Sequence, residues 1–500
     1  MTGRVLGPDD PRYADFTAGI NQRYTAKPAT VHLPRTTPEV ASAVSGATGR
    51  ISIRSGGHCF EDFVHHEDVE ELVDLGGMSE VDFSDGVFSV GAGAKLQDVY
   101  EKLYRGWGVT IPGGICYSVG AGGHITGGGY GLLSRRDGLT VDHLHGVEVV
   151  LAGGRTVVVT RDSTGAEADL FWAHTGGGGG SFGVVTRFLF AAPLVTPPSE
   201  VLVAALSVPW ADLDERRFAR LLGGYARWHD EHRAPDSPGA PLSSLLMLNH
   251  RGNGTVGLVA QIDAAAPAAA RVLDEHLSAV LGDLTTTGFA RAGEFGPMPG
   301  LARPRRLPWL RATRFLGTNT PVLNDPTLRA EHKSAYVRNP LPDAQVRTAY
   351  EFLTRPDVTN PNAMLVAFSY GGAISAVDPA ATAVAQRDST FKLLYQSFWS
   401  TVDADAANIA WVREFYRSMY AGTGGVPVPG EVADGCYVNY PDADLSDPDW
   451  NTSGVPWHDL YFKGNYPRLQ RAKAHWDPDD VFRHRQSVRP AGAREGPCPA

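Results

Sequence analysis

Cysteine is scarce in this chain, with only four among 500 residues. Cys59, Cys116, Cys436 and Cys498 are widely spaced, and none forms a C-x-x-C pair. Disulfide-stapled domains and structural zinc sites need closely spaced cysteines, so the sequence predicts neither. The histidines near the glycine-rich segments also lack metal-ligand spacing such as H-E-x-x-H, so we expect no metal site.

Long basic runs and long apolar runs are also missing. The net charge is −10, and the nearest approach to a basic cluster is RPRR (303–306), in a loop rich in Pro and Gly. We therefore expect no nucleic-acid partner. No apolar stretch approaches the roughly 18–20 residues that cross a bilayer, so we expect no membrane span. The first residues, MTGRVLGPDDPRYADF, are polar and lack an apolar signal segment; we expect a cytoplasmic protein, with secretion left open.

Two familiar motifs are absent. There is no G-x-x-x-x-G-K-[ST], which excludes a P-loop kinase. The run GAGGHITGGG does not follow a strand and has no acidic residue at the expected distance, so a Rossmann domain for NAD is not predicted.

Composition divides the chain into three parts. Residues 1–195 are dense in glycine and end at the proline cluster PLVTPPSE. Residues 196–444 alternate helical and strand-like patterns, and residues 445–500 contain the helical pattern RLQRAKAHW. Mixed strands and helices of this kind indicate an α+β fold. Apolar periodicity predicts strands within 50–57, 85–93 and 243–263, a hairpin at 147–160, and helices at 94–107, 214–232 and 266–282.

Glycine is abundant, with 57 residues. It is concentrated in three clusters: SGG (55–57), GGICYSVGAGGHITGGGYG (113–131) and HTGGGGGSFG (174–183). Glycine lets the backbone approach a ligand closely, and its exposed N–H groups can line an anion site. A single cluster would favour flexible turns. Three clusters beside hydrophobic strands favour a large phosphorylated ligand.

Several segments together resemble a known family. They are RSGGHCFEDF (54–63), PGGICYSVGAGGHITGGGYGLLSRRDGLTVDHLHGVEVV (112–150), DLFWAHTGGGGGSFGVVT (169–186), CYVNYPD (436–442) and YFKGNYPRLQRAKAHWDP (461–478). The chain resembles the berberine bridge enzyme-like oxidases, which have the vanillyl-alcohol oxidase/p-cresol methylhydroxylase (PCMH) FAD fold. Within that family it is most similar to actinobacterial oxidases of antibiotic biosynthesis, such as the hexose oxidases of lipoglycopeptide pathways, with aclacinomycin-type oxidases more distant.

The resemblance implies a domain organisation and a cofactor. Residues 1–195 and 445–500 would form the PCMH-type FAD-binding domain, and 196–444 a substrate domain with an antiparallel sheet backed by helices. FAD would be bicovalent, through an 8α-histidyl bond at His58 and a 6-S-cysteinyl bond at Cys116. Cys59 matches no linkage position, and we interpret it as structural. The residues that the resemblance places at the cofactor are His58, Cys116, Arg54, Ser55, Gly56, Gly57, Cys59, Gly113, Gly114, Val119, Gly120, Gly123, His124, Gly128, Asp142, Val147 and Asn465.

The resemblance also implies a catalytic group. Tyr440, in CYVNYPD, would take the proton from the substrate hydroxyl while hydride passes to the flavin. Because a free phenol has a pKa near 10, Tyr440 needs a neighbour that lowers its pKa. Tyr370, just before a Gly pair, would be the neighbour that lowers the pKa of Tyr440. Tyr130 would line the pocket. If the segment is a strand, Tyr437 points away from Tyr440, so we do not pair them.

The expected reaction is that of an FAD oxidase acting on CH–OH in a small-molecule alcohol or a glycosylated natural product. Val119, small and β-branched, would admit O2, which would be reduced to hydrogen peroxide. Two alternatives stay open: four-electron oxidation of a primary alcohol to an acid or oxidative ring closure, and a non-catalytic binder. Loops at 288–320 would decide the substrate, with Trp309 and Phe315 stacking on it or packing in the core.

Overall fold

Two small sheets form the N-terminal part of the chain in the computed structural model, which describes residues 5–492. The first sheet contains β1 (Val5–Leu6), β2 (Thr30–His32), β3 (Ile51–Arg54) and β4 (Glu71–Asp74). Its order is β1-β2-β4-β3, with β4 parallel to both of its neighbours. The second sheet contains β5 (Val81–Ser84), β6 (Val87–Gly91), β7 (Gly146–Val150), β8 (Thr156–Thr160) and β9 (Val184–Ala191). It is antiparallel, in the order β5-β6-β9-β7-β8.

The helices of this part are short and lie between the strands. They are α1 (Thr37–Gly46), α2 (Leu96–Trp107), α3 (Ala121–Thr126), α4 (Ser134–Asp137) and α5 (Gly165–Ala173). Helix α2 confirms the amphipathic helix predicted at 94–107: it buries Leu96, Val99, Tyr100 and Leu103, which share one face. It ends at Gly108, whose φ of +70° suits glycine.

The predicted hairpin at 147–160 is confirmed by β7 and β8, which pair antiparallel around the AGG turn. Gly153 in that turn has a φ of +76°, a conformation that side chains disfavour.

An eight-stranded antiparallel sheet dominates the middle of the chain. Its strands are β10 (Glu200–Pro209), β11 (Ser243–Asn249), β12 (Thr255–Asp263), β13 (Thr287–Gly288), β14 (Arg305–Pro308), β15 (Arg329–Val337), β16 (Ala363–Ser369) and β17 (Phe391–Trp399). The order is β13-β10-β12-β11-β16-β17-β15, with β14 also beside β10. The helices of this part are α6 (Glu215–Glu231), α7 (Ala269–Leu281), α8 (Trp309–Thr318), α9 (Asp343–Thr354) and α10 (Asp405–Met419).

Helices back this sheet, as predicted. Trp228 of α6 and Leu273 of α7 pack in one cluster with Ala260 of β12. The two helices approach closely, because a Cβ built on Gly224 would lie 2.2 Å from the carbonyl oxygen of Ala279. The predicted helices at 214–232 and 266–282 are therefore confirmed.

The prediction of loops at 288–320 is wrong at the end of this segment, because Trp309–Thr318 forms α8. Trp309 is buried, and its ring centroid lies 5.3 Å from that of Tyr104. Phe315 is 41% exposed. Neither residue lines the cavity described below.

The C-terminal part returns to the N-terminal part. It contains α11 (Trp457–Phe462) and α12 (Tyr466–Trp476), which confirms the predicted RLQRAKAHW helix. The Lys473 Nζ of α12 donates to the carbonyl oxygen of Ser181 at 2.8 Å, and the indole of Trp476 donates to that of Ala166 at 3.0 Å. The domain limits 1–195, 196–444 and 445–500 stay a prediction. No helix within residues 5–492 combines the length and the apolar character of a membrane span.

Candidate active site

A cavity of about 340 Å³ lies where the three parts of the chain meet. The N-terminal part contributes its glycine segments, and the central sheet contributes Leu245 of β11 and Phe368 of β16. The turn 437–441 and residues 482–486 complete the wall. The cavity has a glycine-lined end and an aromatic end, which we describe in turn.

At the glycine end, two backbones touch. A Cβ built on Gly56 would lie 2.3 Å from the amide nitrogen of Gly120, so only glycine fits. Gly57 has a φ of +72°. The amide groups of residues 56–59 find no acceptor among the residues that the structure describes. Consecutive N–H groups beside a left-handed glycine form a concave anion site, which suits a diphosphate.

His58 stands in this wall, half-buried. Its imidazole has no hydrogen-bond partner in the described part of the chain. Burial, helped by the positive charges of Lys95 and Arg54, lowers the pKa of His58 to about 4. The ring is therefore neutral near pH 7, and one nitrogen keeps the lone pair that a bond to carbon requires.

Cys116 is a free, buried thiol in the same wall. Its Sγ lies 3.2 Å from the Ser118 Oγ and 3.7 Å from the Thr320 Oγ1. Thr320 follows α8, so the thiol lies where the central part meets the glycine loop. Either hydroxyl can donate a hydrogen bond to the sulfur.

The other cysteines differ from Cys116. Cys59 lines the cavity, but burial raises the pKa of its thiol to about 12, which keeps it protonated. Cys436 is buried, with its Sγ 3.3 Å from the Tyr416 hydroxyl. Cys498 lies outside the described residues. The structural role predicted for Cys59 is consistent with this environment.

His124 braces the glycine loop. Its Nε2 accepts a hydrogen bond from the Gly114 amide at 3.0 Å. Burial, with a smaller effect of the Lys392 charge, lowers the pKa of His124 to about 4, so the ring stays neutral and can accept this bond. Its carbonyl oxygen accepts from the Asn439 side chain at 3.0 Å, which ties α3 to the turn 437–441.

Most of the residues predicted for the site lie together in this cavity wall. They are Tyr440, Tyr130, His58, Cys116, Arg54, Ser55, Gly56, Gly57, Cys59, Gly114, Val119, Gly120, Gly123 and His124. Three sequence segments, 54–59, 114–130 and the turn that holds Tyr440, therefore converge on this cavity.

Six predicted residues lie behind the wall instead: Gly113, Gly128, Asp142, Val147, Asn465 and Tyr370. Asp142 forms a two-point ion pair with Arg387, at 2.8 and 3.0 Å. The Asn465 amide donates to the Pro379 carbonyl oxygen at 2.8 Å, and Val147 is fully buried in β7. These groups are occupied by protein partners, so they support the loops rather than line the cavity.

At the aromatic end, Tyr440 borders the cavity with its hydroxyl unpaired within the described chain. Its ring stacks on Phe60, with centroids 5.4 Å apart. Burial raises the pKa of Tyr440 well above its ordinary value, and the negative charge of Glu294 is the next contribution. Tyr440 is therefore a neutral phenol unless a positive charge compensates its ionisation.

The expectation that Tyr437 points away from Tyr440 is wrong. Residues 436–440 form a turn, in which the Tyr440 amide donates to the Tyr437 carbonyl oxygen at 2.9 Å. A turn does not alternate its side chains as a strand does, and the two rings meet with centroids 5.0 Å apart. The hydroxyl of Tyr437 accepts from the Asn439 amide at 3.2 Å.

Tyr370 does not take the predicted place beside Tyr440. It is fully buried between Tyr130 and Tyr336, with centroid distances of 5.5 and 5.1 Å. Its hydroxyl donates to the carbonyl oxygen of Gln386 at 3.1 Å. The hydroxyl of its neighbour Tyr130 donates to the carbonyl oxygen of Ser369.

Sequence reasoning missed Lys392, a buried lysine of β17. Its Nζ lies 3.6 Å from the ring centroid of Tyr130, 4.1 Å from that of Tyr437 and 5.3 Å from that of Tyr440. This Nζ has no hydrogen-bond partner among the described residues, and burial lowers the pKa of Lys392 well below its ordinary value. Protonated Lys392 would be held by the ring faces and would favour a nearby phenolate.

Glu294 was missed as well. It follows Gly293 in the connection between β13 and β14 and lines the aromatic end of the cavity. Burial raises its pKa to about 7, and a hydrogen bond from Gln396 offsets this only in part. The aromatic end thus holds an acid and a phenol in its wall, with the buried amine of Lys392 packed against the ring of the phenol.

The glycine end fits a flavin dinucleotide. The unpaired amides of residues 56–59 suit its diphosphate, and His58 and Cys116 offer two nucleophilic atoms in one wall. A Cβ built on Gly123 would meet no atom within 4 Å, so glycine there leaves cavity space open. Within residues 5–492, no three His, Cys, Asp or Glu side chains are grouped to hold a metal ion.

Comparison with known proteins agrees with this geometry. The family "FAD binding domain" matches residues 28–160, and "Berberine and berberine like" matches residues 436–489. Aclacinomycin-N/aclacinomycin-A oxidase of Streptomyces galilaeus is 43% identical, covering 97% of this chain and 89% of that protein. Hexose oxidase of Chondrus crispus is 34% identical, covering 96% of this chain and 93% of that protein.

Among solved structures, glycopeptide hexose oxidase DBV29 complexed with teicoplanin has a TM-score of 0.88 at 40% identity. The match covers 97% of this chain and 98% of that chain. The predicted similarity to oxidases of this kind is confirmed. Aclacinomycin-type oxidases, expected to be more distant than the glycopeptide hexose oxidases, are 43% identical against 40%.

Proposed function

Because the chain belongs to the berberine bridge enzyme-like FAD-linked oxidoreductases, we propose that it is an oxidase with FAD attached twice, at His58 and Cys116. The α+β fold of the PCMH type and the dependence on FAD, both predicted from the sequence, are confirmed by the family. Membership also removes the alternative of a non-catalytic binder.

The observation that carries the proposal is the convergence of His58, Cys116 and Tyr440 on one cavity. A neutral imidazole and a hydroxyl-supported thiol are the two groups needed for two attachments. FAD bound at the glycine end would supply the redox chemistry, accepting hydride and reducing O2 to hydrogen peroxide.

The substrate would lie at the aromatic end, against Tyr440. Its hydroxyl proton would pass to Tyr440, whose own hydroxyl has no competing partner in the described chain. Burial alone disfavours a charged Tyr440 and a charged Lys392, but the two opposite charges stabilise each other at this distance. Deprotonated Tyr440 with protonated Lys392 is therefore the pair that acts as the base.

The substrate class follows from the relatives and the cavity together. The relatives are named as oxidases of an antibiotic and of a hexose, and one solved structure holds a glycopeptide antibiotic. We propose a hydroxyl-bearing carbon of a secondary metabolite or of its sugar as the site of oxidation. Val119 lines the cavity three residues after Cys116, where its small side chain leaves room for O2.

The test is anaerobic mixing of the purified holoprotein with hexoses and glycosylated antibiotics, with flavin absorbance as the readout. We expect bleaching by at least one alcohol and, after O2 is admitted, one peroxide for each alcohol consumed. Two peroxides per alcohol would favour the alternative of four-electron oxidation to an acid. A cyclised product would favour ring closure, and a flavin that no alcohol reduces would contradict the proposal.

A further inference from the structure

The segment that carries Glu294 is fixed against the central sheet. Gly293 has a φ of +57°, and its amide donates to the Asn249 Oδ1 at 2.8 Å. The Phe295 amide donates to the carbonyl oxygen of Ala292 at 3.1 Å, which closes a tight turn. A Cβ on Gly293 would lie 2.8 Å from the Met247 Cγ. The Glu294 side chain is therefore held in place at the cavity by its own backbone.

Glu294 has no cationic partner. It takes part in no ion pair among residues 5–492, although most buried carboxylates of this chain are paired with Arg or Lys. A hydrogen bond from the Gln396 side chain lowers its pKa, and its negative charge contributes to the raised pKa of Tyr440. Glu294 is partly buried in the cavity wall, and a carboxyl group placed there without a cationic partner is expected to have a function that involves a ligand.

The chemistry of that ligand can be stated. In its ionised form the carboxylate only accepts hydrogen bonds, so the partner of that form is a donor. The wall around it is apolar, with Leu245, Phe295 and Phe368, which leaves Glu294 as a polar contact that orients what binds there. Because Glu294 and Tyr440 line the same cavity, a donor bound to Glu294 would lie near the group that Tyr440 deprotonates.

We propose that Glu294 selects the substrate by accepting a hydrogen bond from a hydroxyl or ammonium group of a sugar ring, on the carbon next to the oxidised one. This inference rests on the proposed oxidase function and adds a specificity residue to it. A site built to bond a donor discriminates strongly against an analogue that lacks the donor, because the buried acceptor is then left unpaired.

The experiment compares three probes in the holoprotein: D-glucose, 2-deoxy-D-glucose and D-glucosamine. Anaerobic flavin reduction gives an apparent Kd for each probe in the wild type, Glu294→Gln, Glu294→Met and the control Glu351→Gln. Glu351 is exposed on α9, far from the cavity wall. Flavin absorbance per protein reports folding of every variant.

We expect wild type and Glu351→Gln to bind glucose and glucosamine at least about tenfold more tightly than the deoxy sugar. Glu294→Gln keeps an acceptor oxygen but no charge, so it should keep the preference for glucose if a hydroxyl is the donor. It should lose the preference for glucosamine if the donor is an ammonium. Glu294→Met should bind all three probes alike.

Several results would overturn the inference: equal affinities in the wild type, unchanged preferences in Glu294→Met, or no reduction by any of the three sugars. Failure of the proposed function is distinguishable, because it would appear as absence of flavin from the wild type or as a flavin that no alcohol reduces.

Discussion

The two ends of the cavity are built from different materials. The glycine end consists of backbone: Gly56 touches Gly120, and the amides of residues 56–59 stay unpaired within the described chain. The aromatic end consists of side chains gathered around Lys392. The first end is therefore sensitive to the smallest added volume, and the second end is sensitive to charge.

The largest effect should come from adding one methyl group at the glycine end. In Gly56→Ala, the Cβ would lie 2.3 Å from the nitrogen and 2.8 Å from the Cα of Gly120, and backbone cannot move aside cheaply. We expect loss of nearly all bound flavin and a fall in unfolding free energy of about 1–3 kcal/mol. Flavin absorbance and thermal unfolding measure these effects.

The matched control is Gly46→Ala at the end of α1, where a Cβ would meet no atom within 4 Å. It should keep full flavin content. Equal loss of flavin in both variants would show that the effect of Gly56→Ala is not specific to the glycine end. It would contradict the account of that end as closely packed backbone.

A large effect of another kind is expected for Tyr440→Phe. Removing the hydroxyl removes the proton acceptor but keeps the ring that stacks on Phe60. Anaerobic flavin reduction should slow by about 100-fold or more, while flavin content stays at the wild-type level. In the control Tyr104→Phe, on α2 outside the cavity, the flavin should be reduced at the wild-type rate. Unchanged reduction in Tyr440→Phe would exclude Tyr440 as the base.

A smaller and pH-dependent effect is expected for Lys392→Met. The pKa of Tyr440 is already raised by burial, and loss of the facing ammonium raises it further. Flavin reduction near pH 7 should fall roughly tenfold and should recover as the pH rises, because phenolate then forms without help. Stopped-flow rates from pH 6 to 10 test this, with the surface variant Lys102→Met as control. A pH profile parallel to the wild type would contradict the electrostatic role.

The same contrast explains what could be predicted from the sequence. His58, Cys116 and His124 sit in contiguous glycine motifs, so local pattern is enough to find them. Lys392 and Glu294 belong to a strand and a connection about 100 residues apart. Only the folded sheet places Glu294 in the cavity wall and Lys392 against the tyrosine rings that line it. The available signals were a lone lysine in the aromatic strand TFKLLYQSFW and a lone acid in AGEFGPMPG.

The fold shows the same limit. Amphipathic helices and alternating strands were predicted, because their periodicity is local. The pattern YVNY is compatible with a strand or a turn, and the structure forms a turn there, with the Tyr440 amide bonded to the Tyr437 carbonyl oxygen. The expected orientation of Tyr437 held only for a strand, so it does not apply to the turn. Tyr370 was misplaced because its partner, the Gln386 carbonyl oxygen, is a backbone group that no motif records.

The most direct test of the central claim is the intact mass of acid-denatured protein. Wild type, His58→Ala, Cys116→Ala and Cys59→Ala should each carry the mass of one FAD, because each keeps at least one attachment. The double variant His58→Ala/Cys116→Ala should carry none and should release flavin on denaturation. Covalent flavin in the double variant, or its absence from the wild type, would contradict attachment at these two residues.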